Sequence, residues 1–357
     1  MISSALIAMS GGVDSSVAAL LATEQGYDCI GCTMKLLPDR EAGAVREENC
    51  CSSADADDAR AVAYKLGIPF YVFDFAEAFK EQVISRFIKV YQNGETPNPC
   101  IVCNRFIKFD GLLKQAKELG REYLVTGHYA GVEAGTGGGR YLLKKGADPS
   151  KDQSYVLYTM SQEQLKHTLF PLGGLTKSKV REIAHEHGFS NANKHESQDI
   201  CFVQNGDYAG FITQCTGREP PKGRFIDMDG NDLGGNKGIV HYTIGQRKGL
   251  GLSAESPLYV CSMNAANNTV VVGTEDKLYS KTLIARGINL IAADRLDMPV
   301  RVRARIRYRQ PEQSATVWQL DTDTLRVEFD SPQRAITKGQ AVVLYDGDIV
   351  IGGGTIS

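Results

Sequence analysis

No apolar stretch in this chain reaches the roughly 18 residues that a membrane-spanning helix needs, so no membrane association is expected. The N-terminus lacks the basic segment that opens a secretory signal. Its apolar run, residues 5–9, is too short for one and reads instead as a buried strand. Together these absences set the expectation of a cytoplasmic chain, in which the nine cysteines stay reduced unless they bind metal or do chemistry. Excess charge is lacking as well. The formal net charge is -2, so the whole molecule offers no attractive field to a polyanion, and nucleic-acid binding has to come from local basic patches. Long linkers, internal repeats and low-complexity tracts are missing too. The six histidines show no metal-ligand spacing; His185 and His187 are two apart and do not share a helix face. What is present is 42% hydrophobic and 23% charged residues over 357 positions, enough apolar mass for two or three cores.

The first part of the chain alternates strand and helix. Residues 5–9 and 27–33 read as strands, with a helix over 15–25 between them. A helix over 53–66 has Ser52 or Ser53 as its cap and Gly67 as its stop. Residues 69–75 form a β-branched and aromatic run, 76–92 are amphipathic with period 3.6, and 108–119 form a further helix stopped by Gly120. Residues 123–126 make another strand. A glycine-rich tip at 135–139 joins strands 131–134 and 141–145 into a hairpin. This rhythm predicts a parallel sheet covered by helices on both faces. Two short helices follow, over 161–168 and 177–187. The chain is loop-rich after Gly188 and β-like from about Gly223. From about 281 to 357, short strands separated by turns at 321–323 and 346–348 suggest a small barrel. The expected fold class is α/β: a Rossmann-like parallel-sheet domain over 1–165, a small central domain over 166–278 that carries Cys201, and a C-terminal β-barrel over 279–357.

Between the first strand and the first helix stands Ser10-Gly11-Gly12-Val13-Asp14-Ser15-Ser16. Glycines let backbone approach an anion closely, the helix end offers open N–H groups and a positive dipole end, and serines add donors. An ordinary serine-capped turn is the bland alternative; three serines, two glycines and an aspartate in this place favour an anion site. No Gly-Lys-Ser/Thr follows, so this is not a Walker A loop. The pattern resembles the PP-loop of ATP pyrophosphatases, which implies AMP-transfer chemistry. Asp14 would then help hold Mg²⁺, a hard cation that prefers carboxylate and phosphate oxygens.

Residues 96–104, TPNPCIVCN, form a proline-fixed loop leading into a helix. If that helix starts near Asn104, Cys103 lies at its N-terminal end, where the dipole favours thiolate. Cys201 lies far along, after Glu196-Ser197-Gln198-Asp199, and is reactive only if the fold brings it to the site. Cys29, Cys32, Cys215 and Cys261 suit the plainer role of small buried hydrophobes; Cys50 and Cys51 suggest no role. Arg301, Arg303, Arg305, Arg307 and Arg309 alternate with apolar residues, which places all five on one strand face. Such a stripe is either a solvated face or a set of phosphate contacts, extended by Lys237, Arg247 and Lys248. His128 follows a strand, at the end of the sheet where ligands of open α/β folds bind.

The motifs SGGVDSS, TPNPCIVCNRFIKF, TGHYA, KDQSYVLY, ICF, TIGQRKGLG and RYRQ occur in the order of the bacterial and mitochondrial tRNA-specific 2-thiouridylases, and the chain resembles that family over nearly its whole length. The resemblance implies ATP-dependent adenylation of the C2 oxygen of a wobble uridine in tRNA, then sulfur transfer from a cysteine persulfide supplied by a donor protein. By resemblance, Cys103 matches the nucleophile and Cys201 the persulfide carrier. Ala8, Met9, Ser10, Gly11, Gly12, Val13, Asp14, Ser15, Met34 and Gly127 match ATP-contacting positions. Asn98, Pro99 and Cys100 match the segment touching the target base. Lys151, Asp152, Gln153, Arg307 and Tyr308 match tRNA contacts. One position departs: the best-known members have aspartate where this chain has Cys100. The change creates Cys-x-x-Cys, which leaves two chemistries open. One is a metal-free persulfide relay with Cys100 as bystander or resolving thiol; the other is a 4Fe–4S cluster on Cys100, Cys103 and Cys201 with one iron left open. Two other readings of the chain remain: a PP-loop ligase using an amine nucleophile, and a non-catalytic nucleotide-gated RNA-binding or iron–sulfur sensor.

Overall fold

The structure, a computed structural model, describes residues 2–38, 53–135, 139–194 and 200–357. Cys50 and Cys51, the Ser52 alternative for a helix cap, the centre of the glycine-rich tip at 136–138, and Glu196, Ser197, Gln198 and Asp199 lie outside the described residues.

The first sheet is parallel throughout. It contains β1 (Ser4–Ala8), β2 (Asp28–Lys35), β3 (Phe70–Asp74), β4 (Tyr123–Thr126) and, after the hairpin β5 (Ala130–Ala134) and β6 (Tyr141–Lys145), the short β7 (Thr168–Leu169), in the order β3-β2-β1-β4-β7. Successive side chains of a strand point to opposite faces, and β1 needs apolar residues on both. Ala5 and Ile7 join a cluster with Val17, Leu20, Val62 and Val180, while Leu6 joins another with Phe109, Leu112 and Leu124. The helices Val13–Glu24 and Ser53–Leu66 supply residues to the first cluster, and the helix ending at Glu118 supplies the second. A parallel sheet covered on both faces results, as the alternating pattern predicts.

Two helices differ from expectation in instructive ways. The 76–92 helix is continuous but carries a π turn over Lys80–Ile84. The next helix begins at Pro99, nine residues before its expected start, and runs through a π turn over Asn104–Gly111 to Glu118. Asn98 caps it by accepting from the Ile101 N–H at 3.4 Å, and Pro99 occupies the first helical position. A proline there loses no hydrogen bond, because that N–H has no intrahelical partner. The short helix expected over 161–168 spans only Gln162–Lys166, with a capping box between Ser161 and Gln164, and the chain turns directly into β7.

The middle of the chain forms a second sheet from β8 (Gly223–Ile226), β9 (Asp232–Asn236), β10 (Tyr259–Asn264) and β11 (Thr269–Gly273), in the order β10-β11-β8-β9. The last part holds β12 (Tyr279–Leu290), β13 (Val300–Arg305), β14 (Gln313–Gln319), β15 (Thr324–Arg334), β16 (Ala341–Asp346) and β17 (Ile349–Ile356). These follow one another as β12-β15-β14-β13-β16-β17, and β17 pairs back with β12, closing a barrel. Val302, Ala304, Val317, Val327 and Leu344 fill it. The β5–β6 hairpin docks on the barrel where Lys144 pairs with Ile349.

The seam between hairpin and barrel is ionic and largely buried. Asp152, 5% exposed, accepts from the Gly146 and Ser154 N–H groups and the Ser154 hydroxyl. Arg305 reaches both Asp152 at 3.3 Å and Glu312 at 3.0 Å, and Lys145 reaches Glu312 at 2.7 Å. Removing one partner of a buried pair strands the other charge. Arg305→Ala is therefore expected to cost about 3–5 kcal/mol, whereas Arg301→Ala, which breaks an exposed pair with Asp330, should cost far less, as solvent-exposed ion pairs do. Urea unfolding of the two variants side by side checks this; equal losses would remove burial as the deciding factor.

Candidate functional site

The parallel order reverses between β1 and β4, and open α/β sheets bind ligands in the crevice outside the strand ends at such a point. The loop after β1 occupies it. Gly11 has φ +72°, and a Cβ there would lie 2.3 Å from the Asp55 carbonyl oxygen, so only glycine fits between the loop and the helix Ser53–Leu66. From β4, Gly127 lies so close that a Cβ would sit 2.8 Å from the Asp14 carbonyl carbon and the Ser15 nitrogen. The serines brace the turn. The Ser10 N–H donates to Ser15 Oγ at 3.1 Å, and the hydroxyls of Ser15 and Ser16 each donate to the Gly12 carbonyl at 3.0 Å. No side chain caps the helix Val13–Glu24, so its first N–H groups are available to an anion. Ala8, Ser10, Gly12, Asp14, Met34 and Gly127 are all at least partly exposed along this crest, while Met9, Gly11, Val13 and Ser15 are buried beneath it.

Asp14 stands at the mouth. Its carboxylate accepts from the Tyr129 hydroxyl at 2.7 Å and from Lys177 Nζ at 2.7 and 2.8 Å. Asn191 braces the loop from below, donating to the Gly11 carbonyl and to Ser16 Oγ, both at 2.9 Å. Lys177 and Asn191 escaped sequence reasoning because they arrive from far along the chain in segments with no distinguishing motif; only the cap at Thr176, which accepts from the Lys179 N–H, was a local signal. His128 is 8% exposed, with its Nδ1 at 2.8 Å from the Thr126 hydroxyl and Phe109 and Phe170 beside its ring. Burial, reinforced by Lys108, holds its imidazole well below the ordinary value of 6.5, so it is neutral at pH 7. As for Mg²⁺, a single carboxylate at the mouth suits an ion that keeps most of its ligands as water and phosphate oxygen.

The cysteines follow a different geometry from the one expected. Because the helix starts at Pro99, Cys103 lies beyond the first N-terminal residues where the dipole acts, and Cys100 takes the second helical position. Cys100 is exposed, and Cys103 is 9% exposed, within a cluster of Phe79, Phe87, Ile107 and Phe202. Cys201, half-buried, packs against the same cluster. Its neighbour Phe202 anchors that approach, edge-on to Phe79 at 5.6 Å and to Phe87 at 5.2 Å. Met34 contacts this cluster as well as the core of the first sheet, which links the phosphate crest to the thiols. Among the described residues, no three His, Cys, Asp or Glu side chains are arranged to hold a metal. The iron–sulfur alternative on Cys100, Cys103 and Cys201 finds no such group among them: Cys100 is exposed, Cys103 is buried and Cys201 is half-buried. Of the cysteines read as small hydrophobes, Cys29 and Cys32 are buried and Cys261 half-buried, and desolvation raises all three thiol pKa values. Cys215, by contrast, is exposed on the helix Tyr208–Thr216.

The segment around Asn98, Pro99 and Cys100 is pinned by the barrel. Gln340 donates to the Thr96 and Pro97 carbonyls at 2.9 and 3.2 Å, and the Thr96 N–H donates to the Lys338 carbonyl at 2.9 Å. A cavity of about 280 Å³ opens beside it, lined by Phe87, Pro97, Asn98, Pro99, Val102 and Tyr158 among others. Asn104 donates to the Val156 carbonyl at 3.0 Å, tying this helix to the segment that follows Lys151 and Gln153. Tyr308 lies between these parts: burial, with the charges of Asp152 and Cys100, raises its hydroxyl pKa.

The arginine stripe is less open than its period suggests. β13 ends at Arg305. Arg301 binds Asp330, Arg303 donates to Ser314 Oγ and the Glu312 carbonyl, and Arg305 is the buried link already described. Arg307 donates to the Ala335 carbonyl at 3.1 Å and Thr337 Oγ1 at 2.8 Å, and burial lowers its pKa from the ordinary value. It also approaches the Ile244 carbonyl at 3.4 Å, which joins it to the segment carrying Arg247 and Lys248. Those two and Arg309 are exposed. Asp152, matched by resemblance to an RNA contact, has its oxygens occupied inside the protein and supports the turn that presents Lys151 and Gln153; Lys151 is partly exposed, while Gln153 Oε1 accepts from the Tyr129 N–H at 2.9 Å.

A parallel sheet with an uncapped helix end and a glycine–serine cradle at its switch point defines a nucleotide-binding α/β protein. The chain matches the family model described as tRNA methyl transferase HUP domain over residues 3–205, the tRNA methyl transferase PRC-barrel domain over 209–274 and the aminomethyltransferase beta-barrel domain over 280–356. It is 52% identical to the tRNA-specific 2-thiouridylase MnmA of Clostridioides difficile (strain 630), with 98% of this chain and 97% of that one covered. It is 51% identical to the tRNA-specific 2-thiouridylase MnmA of Acetivibrio thermocellus, over 98% of each chain, and 53% identical to the protein named MnmA 2 of Caldanaerobacter subterraneus subsp. tengcongensis, over 98% and 97%. The chain belongs to the tRNA-specific 2-thiouridylase family.

No helix among the described residues is long and apolar enough to cross a membrane.

Proposed function

We propose that this protein is an ATP-dependent tRNA-uridine 2-sulfurtransferase acting on a wobble uridine. The observation that carries the reading is identity of about half the residues with 2-thiouridylases over 98% of the chain. The phosphate crest and the thiol cluster, linked through Met34, support it.

The C2 oxygen of uridine is amide-like and a poor leaving group, so it must first be esterified with phosphate. The uridine C2 oxygen attacks the α-phosphorus of ATP held by residues 8–15, Met34 and Gly127, and pyrophosphate leaves. Asp14 would help hold Mg²⁺, which when bound would supply charge neutralisation on the polyphosphate. The terminal sulfur of a persulfide on Cys201 then bonds to C2, and AMP departs with the former C2 oxygen. Attack of the Cys103 thiolate on Cys201 Sγ breaks the bond to the transferred sulfur, leaving 2-thiouridine and a Cys103–Cys201 disulfide that a thiol reductant reopens. Asn98, Pro99 and Cys100 face the base. Lys151, Gln153 and Tyr308, with the exposed Arg247, Lys248 and Arg309, approach the tRNA, and Arg307 holds that surface together. In this division, residues 1–165 adenylate, 166–278 bring Cys201, and 279–357 bind tRNA. A persulfide-donating protein supplies sulfur, and the reaction takes place in the cytoplasm.

The test uses the protein with unmodified tRNA, ATP, Mg²⁺ and a persulfide donor. Pyrophosphate release should require tRNA, and AMP and 2-thiouridine should form in equal amounts. ADP in place of pyrophosphate, or an adenylated tRNA that captures an amine instead of sulfur, overturns the reading.

A further inference from the structure

The chain that leads to Cys201 is held by the helix Ser53–Leu66 at two points before it reaches the thiol cluster. Near the C-terminal end of that helix, Lys65 Nζ donates to the Gly188 carbonyl at 2.8 Å and stands 5.8 Å from the centre of the Phe189 ring. Near its N-terminal end, Lys194 Nζ lies 2.7 Å from Asp55 Oδ1 and 2.6 Å from Asp58 Oδ2. The segment between them therefore follows the helix to the end where the Asp55 carbonyl meets Gly11. Phe189 and Ala192 are buried with Val13 and Val17, Arg181 donates to the Ala192 carbonyl at 3.1 Å, and the Lys194 N–H donates to the Asn191 carbonyl at 3.0 Å. Six residues then separate Lys194 from Cys201, whose neighbour Phe202 belongs to the aromatic cluster. Asp55 and Asp58 are three apart on one helix face, where like charges repel, and one ammonium serves both. Lys194 and Asp58 keep about a third of their side-chain surface in water, so screening limits what these pairs add to global stability. Their effect is local: they fix where, and in which direction, the chain leaves the scaffold of the phosphate loop.

We propose that Lys194 is a positioning residue for sulfur transfer: by bridging Asp55 and Asp58 it aims the segment that bears Cys201 from the phosphate-loop end of the helix Ser53–Leu66 toward the adenylated base. The proposal rests on the persulfide reading of Cys201 and adds the group that sets its approach. Direction matters here more than reach. Without Lys194 the next tie upstream is Asn191, on Gly11 and Ser16, and the tether to Cys201 grows from seven residue steps to ten. That lengthening alone lowers the chance of the ends meeting by less than about twofold, so a larger loss reports a lost direction.

The full chain is assayed in a single turnover with unmodified tRNA, ATP, Mg²⁺ and a persulfide donor, reading pyrophosphate and 2-thiouridine separately, for the wild type, Lys194→Met, Lys194→Arg and Asp58→Asn. Lys194→Met should slow 2-thiouridine formation about 10- to 100-fold, the scale of a misplaced reacting group, while pyrophosphate release and KM for ATP change by less than about threefold. Its thermal midpoint should fall only slightly. Lys194→Arg, whose guanidinium can serve both carboxylates, should stay within about threefold of wild type. Asp58→Asn, which leaves Asp55 in place, should fall between wild type and Lys194→Met, and it carries the test where Lys194→Met does not fold. A loss of 2-thiouridine no larger than the tether effect of about twofold means that the aromatic cluster alone places Cys201, and the proposal fails. Equal losses in both steps make Lys194 part of the nucleotide scaffold and also overturn it. A wild-type protein that releases pyrophosphate but forms no 2-thiouridine overturns the persulfide reading itself, which separates the two failures.

Discussion

Gly11→Ala is expected to lower kcat/KM for ATP by about 100-fold or more, the scale of penalty that small misplacements of reacting groups incur. Two effects combine. The residue would have to hold φ +72° with a side chain, which costs about 1–3 kcal/mol, and its Cβ would lie 2.3 Å from the Asp55 carbonyl oxygen. Neither neighbour can yield cheaply. Asp55 is fixed by Lys194 at 2.7 Å, and the loop is held by Asn191. The loop must therefore move away from the position in which its N–H groups converge. Asp14→Ala should abolish adenylation by a different route, removing the carboxylate while leaving the cradle in place. In both variants tRNA affinity should stay near wild type, because the exposed cations Arg247, Lys248 and Arg309 are not built on this loop. The measurements are tRNA-dependent pyrophosphate release and filter binding of tRNA. Normal turnover by Gly11→Ala would mean that the loop after β1 does not hold the nucleotide.

Sequence alone was informative wherever the deciding interactions are local. A buried strand followed by two glycines and three serines, then a helix, is a short-range pattern, and β1, its loop and the helix Val13–Glu24 appear within a residue or two of where periodicity puts them. The closed barrel was legible from evenly spaced strands and turns. The start of the helix at Pro99 was not, because two prolines read as a rigid loop; what decided it was the Asn98 side chain reaching the Ile101 N–H. A start at Pro99, five residues before Asn104, changes which thiol meets the dipole.

The arginine stripe shows the opposite limit. Period two correctly set Arg301, Arg303 and Arg305 on one face of β13 with Val302 and Ala304 inward. It said nothing about what stands opposite. Asp330, Ser314, Glu312 and Asp152 come from other strands and from the hairpin seam, and they convert most of an apparent phosphate-binding face into internal links. Lys177 and Asp14, 163 residues apart, illustrate the same point at the site: a pair that only the tertiary fold creates leaves no trace in spacing.

Replacing Cys103 or Cys201 by serine is expected to lower 2-thiouridine formation by at least ~1,000-fold, as for loss of other nucleophiles, while tRNA-dependent pyrophosphate release continues, since adenylation uses neither sulfur. A serine hydroxyl is not ionised at neutral pH and carries no persulfide. Because Cys103 is buried among aromatic rings, a hydroxyl there costs about 1–3 kcal/mol, so Cys103→Ala is the companion that keeps the cluster apolar. Cys100→Asp tests the departure from the family pattern. The position is exposed and second in its helix, where a carboxylate gains about 0.3–1 kcal/mol from the dipole, so the variant should fold normally. If sulfur passes between Cys201 and Cys103 without a metal, as proposed above, the introduced carboxylate should leave thiolation within about threefold of wild type, a change too small to reflect a lost charged hydrogen bond. The assay is 2-thiouridine per tRNA under anaerobic conditions after incubation with iron and sulfide, with bound iron measured in parallel. Activity that disappears in Cys100→Asp together with iron would overturn the persulfide relay, since a carboxylate is a harder and weaker ligand than thiolate for such iron; retained activity with no bound iron in either protein is the expected result.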